Sequence, residues 1–201
     1  MKKTHPEKNG TPYTNDEDTQ LMLEFQEGSR EAFGRLVSRN QERVFRLAQR
    51  YVGDAAAAED VTQDVFVRVF NAAEGYKPTA RFGTWVYRIT VNLSLNALRD
   101  SQGRPEVPLE GDSEGLGEVE DRTGGVNPGE KIESEELSEA VSRAVAGLPE
   151  SQRTVLLLRR YEELSYEEIA EVTGKAPTAV KSLLARARQT LKMALRRHLE
   201  T

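Results

Sequence analysis

The feature that most constrains this chain is a break in its periodicity. Between residues 101 and 136 the sequence fills with Gly, Pro, Asp and Glu, whereas on both sides apolar residues recur every three or four positions. A stretch of that composition cannot bury enough surface to offset the entropy of ordering it, so it reads as a tether. The chain is therefore expected to be all-α: two small helical domains, 16–100 and 137–201, joined by a flexible acidic linker, 101–136, and preceded by a flexible tail, 1–15. Neither block carries the alternating pattern of a strand.

In the first block Phe33, Leu36, Val37, Val44, Leu47, Ala48 and Tyr51 recur at helical spacing, behind Ser29 as an N-cap and ahead of Gly53 as a stop. Asp54 can cap a second helix, 55–73, whose buried stripe is Ala58, Val61, Val65 and Val69. A third, 82–98, has Trp85, Ile89, Leu93 and Ala97 on one side, a register that puts Trp85 in the core. The second block opens with an amphipathic stretch, 137–148, followed by Pro149 and an apolar run, 155–158. Ser165 and Glu168 have the spacing of a capping box, and Gly174 ends the helix they begin. Pro177 then starts a basic helix through Val180, Leu183, Leu184, Ala187 and Leu191. Helix, glycine turn and basic helix form the helix-turn-helix pattern, which lays its second helix in a major groove.

Charge is segregated along the chain. The net charge of -5 conceals a balanced first block, with 14 basic and 14 acidic residues up to position 100, and an acidic centre with 3 and 11 between 101 and 136. From Lys175 to Leu199 there are seven basic residues and no acidic one, so a local positive surface can meet phosphates despite the acidic total. Cysteine is absent, which removes disulfides, thiolate metal sites and thiol redox chemistry. His5 and His198 lie near opposite ends, so neither metal nor cofactor is expected. No apolar run approaches the roughly 20 residues needed to span a bilayer, and the N-terminus lacks the apolar core of a secretory signal; a cytoplasmic protein that is not membrane-inserted is expected. Without a Gly-rich phosphate loop or a nucleophile–base pair, an enzyme is not expected.

Specific strings then add a family resemblance. Asp60-Val61-Thr62-Gln63-Asp64-Val65-Phe66, followed by Arg81-Phe82-Gly83-Thr84-Trp85-Val86-Tyr87-Arg88-Ile89 and Asn92, resembles region 2 of the extracytoplasmic-function (ECF) sigma factors of bacteria. Leu148-Pro149-Glu150-Ser151-Gln152-Arg153, followed by Ser165-Tyr166-Glu167-Glu168-Ile169-Ala170 and Val180-Lys181-Ser182, resembles their region 4. Order, spacing and the acidic linker also match, over about residues 16–199. The resemblance implies a dissociable subunit that binds core RNA polymerase, directs it to promoter DNA, takes part in melting and initiation, and is held in check by an anti-sigma factor.

Residue roles follow from the two readings together. Asp60, Gln63, Asp64 and Val67 fall at i, i+3, i+4 and i+7 and share a face distinct from the core stripe. Two carboxylates four apart repel by a few tenths of a kcal/mol, which a cationic partner would relieve. On the residues alone an ordinary solvated face is the lesser alternative; the resemblance implies that Asp60, Gln63 and Asp64 dock on core polymerase. Arg88, Asn92, Asn96 and Arg99 recur at steps of four, four and three, and amides and guanidinium groups suit both phosphates and base edges. The resemblance assigns them, with Tyr76 and Lys77 of the preceding loop, to the non-template strand of the minus-ten element, Tyr76 stacking on a base. Asn92 suits a helix–helix contact equally well.

In the basic helix the resemblance assigns Thr178, Lys181, Ser182, Arg186 and Arg188 to the minus-thirty-five element, with Lys192, Arg196 and Arg197 further along for phosphates. Leu183 and Ala185, at potentially base-facing positions, and Lys175 in the turn depart from the family pattern. The linker reads as a solubilising tether or, by family analogy, as a segment threading an RNA path. A one-component helix-turn-helix regulator is the alternative reading, and it leaves the Asp60 face and the 82–92 block without a role.

Overall fold

The computed structural model describes residues 13–103 and 128–196. The expected tail up to residue 12, the middle of the expected linker (104–127) and residues 197–201, with Arg197 and His198, lie outside the described residues. Those described form helices and short connections, with no strand among them.

The first helix, α1 (Glu17–Gln26), was not legible as a stripe because Leu21, Met22, Leu23 and Phe25 are nearly consecutive. It is held by its cap: the Asp16 carboxylate accepts from the Thr19 backbone N–H at 3.0 Å and from the Thr19 hydroxyl at 2.8 Å. The next helix, α2 (Arg30–Val52), is capped by Ser29 and stops at Gly53, whose φ of 78° lies where only glycine sits without strain. Asp54 caps α3 (Ala55–Ala72), its carboxylate 2.7 Å from the Ala57 nitrogen. A 3-10 turn (Ala73–Gly75) and a short loop lead into α4 (Phe82–Gly103). These four helices close around Met22, Leu36, Val44, Val65, Val69 and Phe82, none more than 1% exposed.

The second region comprises α5 (Pro128–Ala146), α6 (Glu150–Tyr161), α7 (Tyr166–Thr173) and α8 (Pro177–Ala194). The capping box forms as the spacing predicts. The Glu168 N–H donates to Ser165 Oγ at 3.1 Å, and the Ser165 N–H donates to the Glu168 carboxylate at 2.8 Å. Gly174, at φ 67°, provides the left-handed residue that turns the chain into α8.

Two expectations change. Helix α4 continues to Gly103 and α5 begins at Pro128, so helix occupies both ends of the span read as linker. Proline is tolerated at a first helical position, where its missing N–H has no helical partner to lose, and the Glu- and Ala-rich sequence after it consists largely of good helix formers. The second change concerns packing between the regions. Tyr87, Val91 and Leu95 recur every fourth residue on α4 as a second apolar stripe and meet Val155, Leu158 and Ile169 of the second region. Leu47 and Tyr51, read from the sequence as part of α2's own stripe, join this second core. Burying side chains as completely as Leu47 and Leu158 contributes roughly 1.5–3 kcal/mol each. Cation–π contacts flank it: Arg50 lies 3.8 Å from the Tyr161 ring centroid and Arg153 lies 5.6 Å from that of Tyr51.

Candidate nucleic-acid interface

Helix α3 buries Val61, Val65 and Val69 and turns Asp60, Gln63 and Asp64 to solvent. The spacing argument, which already set Val67 on this face, places it correctly, and the structure extends it with Phe70, which the spacing did not include. Val67 and Phe70 are each more than half exposed. Phe70 rests against Phe25 and Phe33, with ring centroids 5.2 and 5.3 Å away, so its ring is held by α1 and α2 while its edge stays open. Its position three residues after Val67, and outside the 61, 65, 69 register, was the available signal.

The loop before α4 is fixed from two sides. Gln26 of α1 donates its side-chain amide to the Tyr76 carbonyl at 2.9 Å and also to the Ala73 carbonyl. The Thr19 hydroxyl accepts from the Phe82 N–H, 3.3 Å away, where α4 begins. Helix α1, unmarked in the sequence, thus sets the loop's position through contacts some fifty residues apart, for which no local signal exists. Asn71, Lys77, Thr79, Trp85 and Arg88 border an open depression beside the loop.

Tyr76, expected to stack on a base, is only 7% exposed. Its ring packs 5.0 Å from Trp85 and 6.3 Å from Phe82, and burial pushes its hydroxyl above the usual phenol value. The stacking role that the resemblance implies is thus corrected: Phe82 and Trp85 take the ring into the core, where it supports the loop from beneath. Lys77 remains exposed. Trp85 packs partly buried against the first core, as its register predicts.

Along α4, Arg88, Asn92, Asn96 and Arg99 are all exposed and form one line. Thr84, Thr90 and Ser94 are buried alongside the apolar residues, so this line is what remains open on a helix covered on both flanks. Arg99 is engaged: one guanidinium nitrogen donates to both carboxylate oxygens of Glu150, at 3.0 and 2.9 Å.

On α8, Val180, Leu184 and Ala187 face inward, while Thr178, Lys181, Ser182, Arg186 and Arg188 face solvent. The Ser182 hydroxyl donates to the Thr178 carbonyl at 3.0 Å. Leu183 is half-buried against the second core, so the expectation that it faces bases is corrected; the helix turns it inward beside Leu184. Ala185 stays on the open face. Among the described residues, no helix is long and apolar enough to cross a membrane.

An all-helical chain whose second region carries a helix-turn-helix with a solvent-facing cationic helix defines a protein built to meet DNA. The Sigma-70 region 2 family matches residues 36–104, and the Sigma-70, region 4 family matches 138–191. The RNA polymerase sigma-H factor of Pseudomonas aeruginosa is 34% identical over 189 residues, covering 90% of this chain and 95% of that protein. The ECF RNA polymerase sigma-E factor of Escherichia coli is 35% identical over 179 residues, covering 87% and 92%. CnrH, solved in complex with the cytosolic domain of CnrY, shares the fold at a TM-score of 0.66 and 24% identity, over 90% of this chain and 97% of that one. The sigma factor RpoE of Bartonella quintana, solved in complex with the anti-sigma factor NepR, does so at 0.59 and 20%, over 82% and 96%. The chain belongs to the sigma-70 family, as an ECF sigma factor of RNA polymerase.

Proposed function

We propose that this sigma factor docks on core polymerase through the α3 face of Asp60, Gln63 and Asp64, extended by Val67 and the edge of Phe70. Lys77, Arg88, Asn92, Asn96 and Arg99 then take the minus-ten strand, while Thr178, Lys181, Ser182, Arg186 and Arg188 take the minus-thirty-five duplex. The observation that carries this reading is the line from Arg88 through Asn92 to Asn96, guanidinium and amide groups left open on an otherwise covered helix beside a fixed loop, with Arg99 at its end paired to Glu150. Such groups pair with phosphates and base edges alike. The protein works in the cytoplasm as a binding subunit, without catalytic chemistry or a cofactor of its own. An anti-sigma factor is a further partner, by analogy with the RpoE complex.

Sequencing RNA made by core polymerase with and without the protein tests the reading. The expected result is a small set of new start sites sharing two upstream elements. Identical transcripts in both reactions would overturn it.

A further inference from the structure

The charge on the open face of α8 draws attention away from two small side chains between the cations. Val180, Leu184 and Ala187 are buried, so the strip opposite them is Thr178, Ser182, Ala185 and Gln189, spaced at i, i+4, i+7 and i+11. All of these are exposed. Cations border the strip: Lys181, Arg188 and Lys192 follow one side of it, and Arg186 stands on the other. A helix lying in a major groove meets a phosphate strand on each flank and base edges along its middle, chiefly through its N-terminal part. The borders of α8 therefore suit the backbone. Its middle, at Ser182 and Ala185, suits the bases.

The chemistry of that middle is narrow. Ser182 has a single hydroxyl proton, and it is committed to the Thr178 carbonyl, 3.0 Å away. What the oxygen offers a groove is lone pairs, so it accepts and does not donate. In the major groove adenine N6 and cytosine N4 are donors, whereas guanine and thymine present only acceptors to hydrogen bonding. Ser182 thus favours adenine or cytosine. Ala185, nearly one turn further on, ends at Cβ; it has no polar atom and is short enough for the helix to close on the bases. Its methyl group suits an apolar contact with the methyl group of thymine. Leu183, whose bulk would hold the helix off, is turned into the second core. An A·T pair offers a donor from adenine and a methyl group from thymine on one edge, and a G·C pair offers the donor alone.

We propose that Ser182 and Ala185 are specificity-determining residues of α8 and that together they select an A·T pair within the minus-thirty-five element. Adenine lies toward Ser182 and thymine toward Ala185, while Lys181, Arg186 and Arg188 hold phosphates on either side. This rests on the placement of α8 given above. Lysine and arginine also read guanine, so a cationic face taken by itself would point to a G-rich element. The register opposes that reading here, because it sets the cations at the borders and leaves a hydroxyl oxygen and a methyl group at the centre.

The test uses holoenzyme assembled from core polymerase and the full chain, on promoter fragments randomised over the minus-thirty-five element. Sequencing of the retained fragments should show a position at which A·T is preferred about tenfold over G·C, within the range that a wrong pair costs. On a duplex carrying that pair, uracil in place of its thymine removes only the methyl group and should weaken binding about fourfold, the worth of one buried methyl group. Ala185→Gly should bind the thymine and uracil duplexes alike. Ser182→Ala should lose the preference over G·C while still sensing the methyl group. The uracil exchange needs no change in the protein, so it decides the matter even where a variant folds poorly. Retention of G·C at every selective position, or equal affinity of the wild type for the thymine and uracil duplexes, would overturn the proposal. The two readings fail separately: a pool retained with no preferred pair anywhere in the randomised region defeats the placement of α8 itself, and the proposal with it.

Discussion

Gln26 and Tyr76, fifty residues apart, are joined by a hydrogen bond from the side-chain amide of the first to the backbone carbonyl of the second, 2.9 Å long. The same amide also serves Ala73, so one α1 side chain ties down the turn and loop from which α4 departs. Gln26→Ala leaves these carbonyls to water and is expected to cost about 1–2 kcal/mol. Hydrogen exchange should show faster exchange over 73–79 with α2 and α3 unchanged. Protection equal to wild type in that loop would mean that the aromatic packing of Tyr76 holds it without help.

The α3 face leads to a charge-reversal prediction. Asp60→Lys with Asp64→Lys should weaken binding to core polymerase at least tenfold, since like charges set against a complementary surface are strongly unfavourable. Both positions are exposed, so circular dichroism should remain native. Phe70→Ser should weaken the same binding by removing the apolar edge beside the charged face. Unchanged retention of either variant in a pull-down with core polymerase counts against that part of the docking surface.

For α8, Lys181→Ala with Arg186→Ala removes two exposed cations. If each meets a phosphate, the dependence of promoter affinity on salt should fall by about two units in logarithmic slope, measured with holoenzyme on a promoter fragment. Retention of the full slope would place the phosphate contacts further along the helix, toward Arg188 and Lys192.

Stability at alkaline pH reports on the second core. Burial, together with Glu162 in the case of Tyr87, holds the hydroxyls of Tyr51 and Tyr87 well above the ordinary phenol value of about 10. As pH rises past 10 the unfolded chain releases these protons while the folded one keeps them. The folded state then binds more protons, and its stability falls by up to about 1.4 kcal/mol per pH unit for each tyrosine. Below that pH the contribution is intact. Urea denaturation between pH 9 and about 11 should give shallower slopes for Tyr51→Phe and Tyr87→Phe than for wild type, and equal slopes would refute the assignment.

Where information was local, the sequence could be read. The caps at Ser29, Asp54 and Ser165, the stops at Gly53 and Gly174, and the exposed rows on α3, α4 and α8 all depend on residues within one or two turns of each other. What escaped was set by distant partners. Helix α1 depends on its cap and on tertiary contacts more than on a stripe, and Gln26 acts across fifty residues. Tyr87, Val91 and Leu95 did form a visible period, yet a helix with one apolar side already identified gave no reason to seek a second. Tyr76 failed for a related reason: an aromatic near a binding loop is ambiguous until its neighbours are known, and here they are Phe82 and Trp85.

That second apolar side of α4 also bears on how long the protein survives. Were the regions to part, Tyr87, Val91 and Leu95 would lose their cover together with Leu47 and Tyr51, leaving an apolar strip about two turns long on α4. Chaperones and proteases select chains by such exposed apolar surface. A molecule whose regions had separated would present this surface to such surveillance, whereas the closed one keeps it covered. The packing that joins the halves would therefore tie the lifetime of the chain to how long its two regions stay together.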